Sequence, residues 1–337
     1  MRATDSIIII GSILVVFAAT FATVLWPTYT IDNAPSGIWR PSTEMEEMGR
    51  MHYISHGCTY CHSQYIRPQD WGLGAERIAQ AGDYHNQMPH LLGSERTGPD
   101  LSQEGGEHPD DWHYAHFKNP RYTSPRSLMP QFGYETDEAI TAMTAYVQSL
   151  GGKDADARVA VQQRFKMESI EAYIKGPDAN IEWLHSRVPQ TWRAMPTFSP
   201  VTRVSVMRGE KVYQDYCVGC HGAVGDGNGP AAKYLAPRPV NFTILKRHLV
   251  DGKFIGGILY YQIMNGITGT AMPYFKKHLE SAKIWDVGNY LEYNFINHRD
   301  DIYPTVAIPA AYEGKENNRT ANKPQPKPMA PGMGGMR

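Results

Sequence analysis

The first hydrophobic pattern along the chain is an unbroken one. Ser6 to Leu25 reads SIIIIGSILVVFAATFATVL, with no charged residue, and it matches the roughly 20 residues that cross a bilayer core. Trp26 and Tyr29 follow at the depth of an interfacial aromatic belt. A cleaved signal would carry a shorter apolar run and a small-residue cleavage site. Here Asp5 precedes the run and no clean A-x-A follows it, so a retained anchor is expected. Arg2 and the α-amino group place the N-terminus in the cytoplasm and everything after Pro27 on the far side.

Beyond the anchor the apolar spacing is helical and comes in two similar sets. Thr136 to Leu150 carries Ile140, Met143, Val147 and Leu150 on one face. Ser281 to Phe295 carries Ile284, Val287, Tyr290, Leu291 and Asn294 in the same way. Gly49 and Tyr53 stand four apart on an earlier helix, and Gly209 and Tyr213 repeat the pair. The glycine permits close helix contact, and the aromatic one turn later fills the crossing. Thr43 and Glu46 have capping-box spacing at the start of the first of these helices. Ala157 to Ile174 reads as a polar helix inside a Pro-punctuated linker. The tail, rich in Pro, Gly and Met, is too polar to pack and is expected to be disordered. The boundaries that follow are 1–30 for the anchor, 40–152 and 201–300 for two helical domains, 153–200 for the linker and 301–337 for the tail.

Composition narrows the class. Lys plus Arg is 33, Asp plus Glu is 34 and the formal net charge is −1, which argues against nucleic acid as the main partner. A hydrophobic fraction of 42% excludes a polytopic membrane protein and leaves one span open. All 4 Cys fall in two C-x-x-C groups, so none remains to staple the fold.

Each group is followed by histidine. Cys58-Thr59-Tyr60-Cys61-His62 and Cys217-Val218-Gly219-Cys220-His221 are both C-x-x-C-H, the attachment signature of c-type haem. The two thiols add across the haem vinyl groups, and the adjacent His becomes the proximal ligand of iron. A redox C-x-x-C needs no following His, and the pairs are too far apart in sequence for zinc-ribbon spacing. Two covalent haems c are therefore expected, with a sixth ligand needed at each. Met129-Pro130-Gln131-Phe132 and Met272-Pro273-Tyr274-Phe275 stand downstream of the two motifs. Among 15 Met a lone one carries nothing, but this repeated motif points to Met129 and Met272 as ligands. Met/His ligation closes the iron to outside ligands and raises its potential, which suits electron transfer. Met195-Pro196 precedes the second motif and is read as packing. His52, His56, His85, His90, His108, His113 and His116 crowd the first half and are read as surface or hydrogen-bonding residues. Helix, haem motif, Met loop and helix, twice over, give a mainly α fold of two class I cytochrome c domains behind a transmembrane helix.

The first half resembles the membrane-anchored mono-haem subunit of the cbb-type (C-family) haem–copper cytochrome c oxidases. The resemblance rests on Cys61-His62-Ser63-Gln64-Tyr65-Ile66-Arg67-Pro68, Arg96-Thr97-Gly98-Pro99-Asp100-Leu101, Asp110-Asp111-Trp112-His113 with His116, Asn119-Pro120-Arg121 and Ser127-Leu128-Met129-Pro130. It implies His62 and Met129 as the axial pair and Pro99 as the carbonyl that orients His62 through Nδ1. It also implies Arg67 and Arg96 near the haem propionates, and packing or subunit contact for Trp112 and His113. The second half looks like a generic single-haem module, so the whole resembles that subunit fused to an extra cytochrome domain.

The expected function is a di-haem electron-transfer subunit in the bacterial inner membrane, its haem domains on the periplasmic side. It would pass electrons from a soluble or membrane cytochrome donor to a large haem–copper subunit, where oxygen chemistry resides; it is not an enzyme by itself. The alternatives are the cytochrome subunit of a nitric oxide reductase, a di-haem peroxidase and a free anchored shuttle. The Cys61 to Pro68 run weighs against the first, and a Met ligand in each half weighs against the second.

Overall fold

The computed structural model describes residues 3–30, 34–73, 77–93, 95–195, 199–248 and 256–297. The expected disordered tail lies outside them. Among the described residues the chain is helical, with one isolated bridge between Gly105 and His108 and no strand.

Helix α1 (Thr4–Thr30) is 27 residues long, apolar around its whole circumference and unpacked against the rest of the chain. Such an all-round apolar surface suits lipid, and its length is enough to cross a bilayer.

The first module is built on α2 (Glu44–Ser55), α3 (Asp110–Lys118), α4 (Pro120–Thr123) and α5 (Asp137–Ser149). Thr43 and Glu46 form the expected capping box on α2. Glu46 also takes two hydrogen bonds from Arg40 at 2.7 Å, and Arg40 reaches Asp156 at 2.6 Å. Helices α2 and α5 cross at Gly49, which lies against the carbonyl of Ala142; a Cβ there would collide with it. One turn on, Tyr53 meets Tyr146 edge-on at 5.2 Å. Ile140, Met143, Val147 and Leu150 are buried behind this crossing, as their spacing predicts. Each such side chain contributes about 1.5–3 kcal/mol by leaving water.

The second module repeats the design. Helices α9 (Arg203–Tyr216) and α12 (Ser281–Leu291) cross at Gly209, which lies against the carbonyl of Asp286. Tyr213 meets Tyr290 at 5.4 Å. The short helix α10 (Val218–His221) carries the second attachment motif, and α11 (Gly256–Asn265) packs on α12. Met195 packs against this core and against Gly257, in keeping with its reading as a packing residue.

The segment between the modules differs from a spacer. It forms α6 (Gly152–Lys175), α7 (Pro177–Ser186) and α8 (Gln190–Arg193). Helix α6 begins on the first module, where Arg158 donates to the carbonyls of Gly105 and Gln103 at 2.8 and 3.0 Å. It ends on the second, where Ser169 Oγ donates to the carbonyl of Gly269 at 3.1 Å. The carbonyl of Leu184 on α7 accepts from Gln262 at 3.1 Å, and Trp192 on α8 stacks on Tyr260 at 5.3 Å.

The modules also touch directly. Trp112 and Ala115 on α3 form one buried cluster with Ala231, Leu235 and Ala271 of the second module. Asp111 accepts from the backbone of Ala236 at 2.8 Å and pairs with Lys166 of α6. Gly219, inside the second attachment motif, lies against the carbonyl of Tyr122 on α4.

Candidate functional site

In the first motif, helix α2 stops at Gly57, whose φ of 68° is a left-handed turn open to glycine. The chain then folds into a tight turn, with Cys61 N and His62 N both donating to Cys58 O at 3.1 and 2.9 Å. That turn brings both sulfurs and the imidazole to one end of the crossing helices. Neither pair of cysteines in the chain is oxidised to a disulfide. Burial pushes the Cys58 thiol up to about 12.

Nδ1 of His62 donates to the carbonyl of Pro99 at 2.8 Å, which leaves Nε2 free for a metal. Gly98 lies flat against the His62 ring, and any Cβ there would strike it. Ser63 and the chain around Tyr65 are tied to Asp100, with Ser63 Oγ donating at 2.5 Å and Tyr65 N at 2.9 Å. Arg67 and Arg96 converge on one carboxylate: Arg67 donates twice to Asp70 at 2.9 Å and Arg96 once at 2.8 Å. The guanidinium of Arg67 first, then that of Arg96, holds the Asp70 carboxyl well below its ordinary range. Both arginines are thus engaged by Asp70 within the chain.

Met129 and Cys58 pack against the same core cluster. The Met loop is pinned by its own backbone: Met129 N donates to Ser127 Oγ at 3.2 Å, and Arg121 donates to the Met129 carbonyl at 3.2 Å.

In the second motif α9 runs straight into Cys217, whose N–H donates to Tyr213 O at 2.8 Å. His221 N closes onto Cys217 O at 3.0 Å. Cys217, Cys220, His221 and Met272 line one apolar cavity with Phe275 and Ile263. Its empty volume, counted together with the solvent at its open mouth, is about 1460 Å³. Burial pushes both thiols up to about 12 and pushes the His221 imidazole down to about 4, so the ring is a neutral ligand donor. Its Nδ1 donates to the carbonyl of Val240 at 3.1 Å, and the ring stacks on Phe242 at 4.5 Å. Met272 N donates to Thr270 Oγ1 at 3.2 Å, the same device as at Met129.

The fit to haem c is therefore chemical and spatial. Each half supplies two unoxidised thiols, an imidazole oriented by a backbone carbonyl and a braced Met loop. The second adds an apolar cavity onto which all four groups open. The sequence alone assigned no role to Gly98, Asp70 or Val240 in these sites, nor to the hydroxyls of Ser127 and Thr270. A hydroxyl two residues before each Met-Pro was a legible extension of the repeat.

Five of the seven crowded histidines fall into two groups. Trp112 is sandwiched between His108 at 3.8 Å and His116 at 4.7 Å. His116 Nδ1 bonds Thr123 Oγ1 at 2.7 Å and His108 Nδ1 bonds Glu104 at 2.7 Å. Burial pushes His113 down to about 4 and His116 to about 3. The second group is His52 and His56 with Glu135.

Fold and sites together define a c-type cytochrome of two modules behind an apolar N-terminal helix. Residues 1–150 match the family described as cytochrome c oxidase, mono-heme subunit/FixO. Residues 204–291 match the family described as cytochrome c oxidase, cbb3-type, subunit III. The chain joins a FixO-like subunit to a second cytochrome c domain. These families imply an electron-transfer component of an oxidase complex, with covalently bound haem c. No curated protein matches the chain. Among solved structures, a chain of the Kuenenia stuttgartiensis reducing HAO-like protein complex is 19% identical, covering 76% of this chain and 98% of that one at a TM-score of 0.23.

Proposed function

We propose that the chain holds two haems c, one in each of the modules spanning about 40–152 and 201–300, and relays electrons from a cytochrome donor to a haem–copper oxidase subunit. His62 and Met129 ligate the first iron, His221 and Met272 the second. Bound in this way, haem c supplies one-electron exchange between ferric and ferrous iron. The protein's part is positional. Four thiols tether the groups, the carbonyls of Pro99 and Val240 set the two imidazole rings, and the hydroxyl-braced Met loops keep other ligands away. Arg67 and Arg96, both paired with Asp70, are the residues assigned to the propionates of the first haem.

The observation that carries the relay is the contact between the sites. The second attachment motif rests on α4 of the first module, with Cys220 Sγ 4.0 Å from the Tyr122 carbonyl. The neighbouring Arg121 holds the carbonyl of Met129. One haem site thus abuts the ligand loop of the other. In this reading the first module docks on the oxidase and the second receives the donor, since the first lies nearer the anchor in the chain and matches the subunit family. The anchor holds the chain in the bacterial inner membrane with both modules on the periplasmic side, and oxygen chemistry stays with the partner subunit.

The test is haem stoichiometry by pyridine haemochrome on the purified full chain. Two haems per chain are expected, falling to one in Cys217→Ala/Cys220→Ala and to one in Cys58→Ala/Cys61→Ala. A wild-type value of one overturns the proposal.

A further inference from the structure

His52 and His56 stand four apart on the last turn of α2, so both rings leave the same face of the helix. The rings lie 6.1 Å apart and within 20° of parallel. Glu135 comes from a different part of the chain, the segment between Met129-Pro130 and α5, and places Oε1 3.2 Å from His56 Nε2. One donor atom from each of the three side chains lies within 4.8 Å of the other two. His56 Nε2 is shut off from solvent and makes no hydrogen bond, although Glu135 lies 3.2 Å away. A buried ring nitrogen without a hydrogen bond costs about 1–3 kcal/mol. The residues also sit at the carbonyl end of α2, which favours a cation. Phe132 and Tyr134 wall the His56 ring at 5.1 and 6.2 Å, and His52, His56 and Glu135 are each half-buried.

We infer that His52, His56 and Glu135 form a binding site for a divalent transition metal of the zinc or copper type. Two imidazoles and one carboxylate suit these borderline ions, whereas calcium and magnesium demand oxygen. Tetrahedral ligand atoms about 2.0–2.2 Å from zinc lie about 3.4 Å apart. The pair of His56 and Glu135 already has that separation, and rotation of the His52 side chain closes the third corner. Solvent fills the fourth position. The ion would bond the helix that leads into Cys58 to the segment that follows Met129, and so clamp the two flanks of the first haem site together. In the second module the positions matching His52 and His56 in the repeat are Val212 and Tyr216.

The experiment uses the detergent-solubilised full chain with its haems in place, stripped with chelator and titrated with zinc sulfate by calorimetry. Bound zinc is counted after dialysis, and its coordination is read by zinc K-edge absorption. One zinc per chain is expected, with two imidazoles in its shell. His52→Ala and Glu135→Gln should each weaken binding at least tenfold with unchanged haem absorption, while the exposed His90→Ala should leave it unchanged. Glu135→Gln keeps the test open if His52→Ala misfolds. A wild type that retains no stoichiometric zinc, a shell without imidazole, or wild-type affinity in both variants overturns the inference.

Discussion

The two modules share one frame and differ in how each holds its histidine. In the first, His62 is set among polar and charged groups: Gly98 against the ring, Pro99 behind it, and Asp70, Asp100, Arg67 and Arg96 in one ionic network. In the second, His221 stacks on Phe242 inside an apolar cavity. The frame itself is nearly identical, a glycine seated on a carbonyl and a tyrosine pair one turn later. The difference begins with one residue. Gly49 to Tyr53 and Gly209 to Tyr213 have equal spacing, but the first cysteine comes one position later in the first module. Gly57 takes up that extra residue in a left-handed turn, ends α2, and leaves His56 at its end. The crossing thus sets the fold, and the electrostatics around the attachment-motif histidine are free to diverge upon it.

The largest effect that would break this comparison is loss of a ligand. Met129→Ala and Met272→Ala should each remove about half of the sulfur-to-iron absorption in the red, and together all of it. A band that survives both would refute the paired Met sites. Next comes the crossing. Gly49→Ala and Gly209→Ala force a Cβ into a carbonyl and should each destabilise their own module by about 1–3 kcal/mol, read by denaturant unfolding. A large loss at one glycine and none at the other would show that the frames are not equivalent.

The ionic network should respond to acid in a defined direction. Asp70 is held low in the folded protein, so its contribution is present above the unfolded value of about 4 and is lost as pH falls through the folded one. Asp70→Asn should therefore be less stable than wild type at pH 7, with the gap narrowing below about pH 4. A gap that widens in acid contradicts the assignment, and the second module should show no change in either condition. The smallest effect lies at the hydroxyl braces. Ser127→Ala deletes one hydrogen bond and Thr270→Ala two, each worth about 0.5–1.5 kcal/mol. Both should ease displacement of Met by added imidazole, measured as a lower midpoint concentration. Unequal shifts would show which loop depends more on its brace.

Much of the frame was legible because its signals are local and repeated. The Gly–Tyr pairs, the Thr43–Glu46 box and the two C-x-x-C-H motifs each lie within a few residues. Helix α6 was harder. Its buried seam is Ala155, Gln162 and Ser169, spaced by sevens and joined by Ala172. Small and polar side chains make no hydrophobic stripe, so the segment reads as a solvated helix although it ties both modules together. Val240 acts through its carbonyl, which carries no side-chain signature. Asp70 was hidden because the arginines it gathers were already given another role. Glu135 lies far in sequence from His52 and His56, and only folding brings them to one place.

The central claim is that two haem sites form one fixed relay, with the second attachment motif seated on the first module. Pulse reduction of the full chain by one electron, followed optically, tests this most directly. The account predicts an intramolecular equilibration phase between the two haems whose rate is independent of protein concentration and of added viscogen. Gly219→Val, which drives a side chain into the Tyr122 carbonyl, should slow that phase while leaving both haem spectra intact. A rate that falls with viscosity, or one that Gly219→Val leaves unchanged, would contradict the fixed relay.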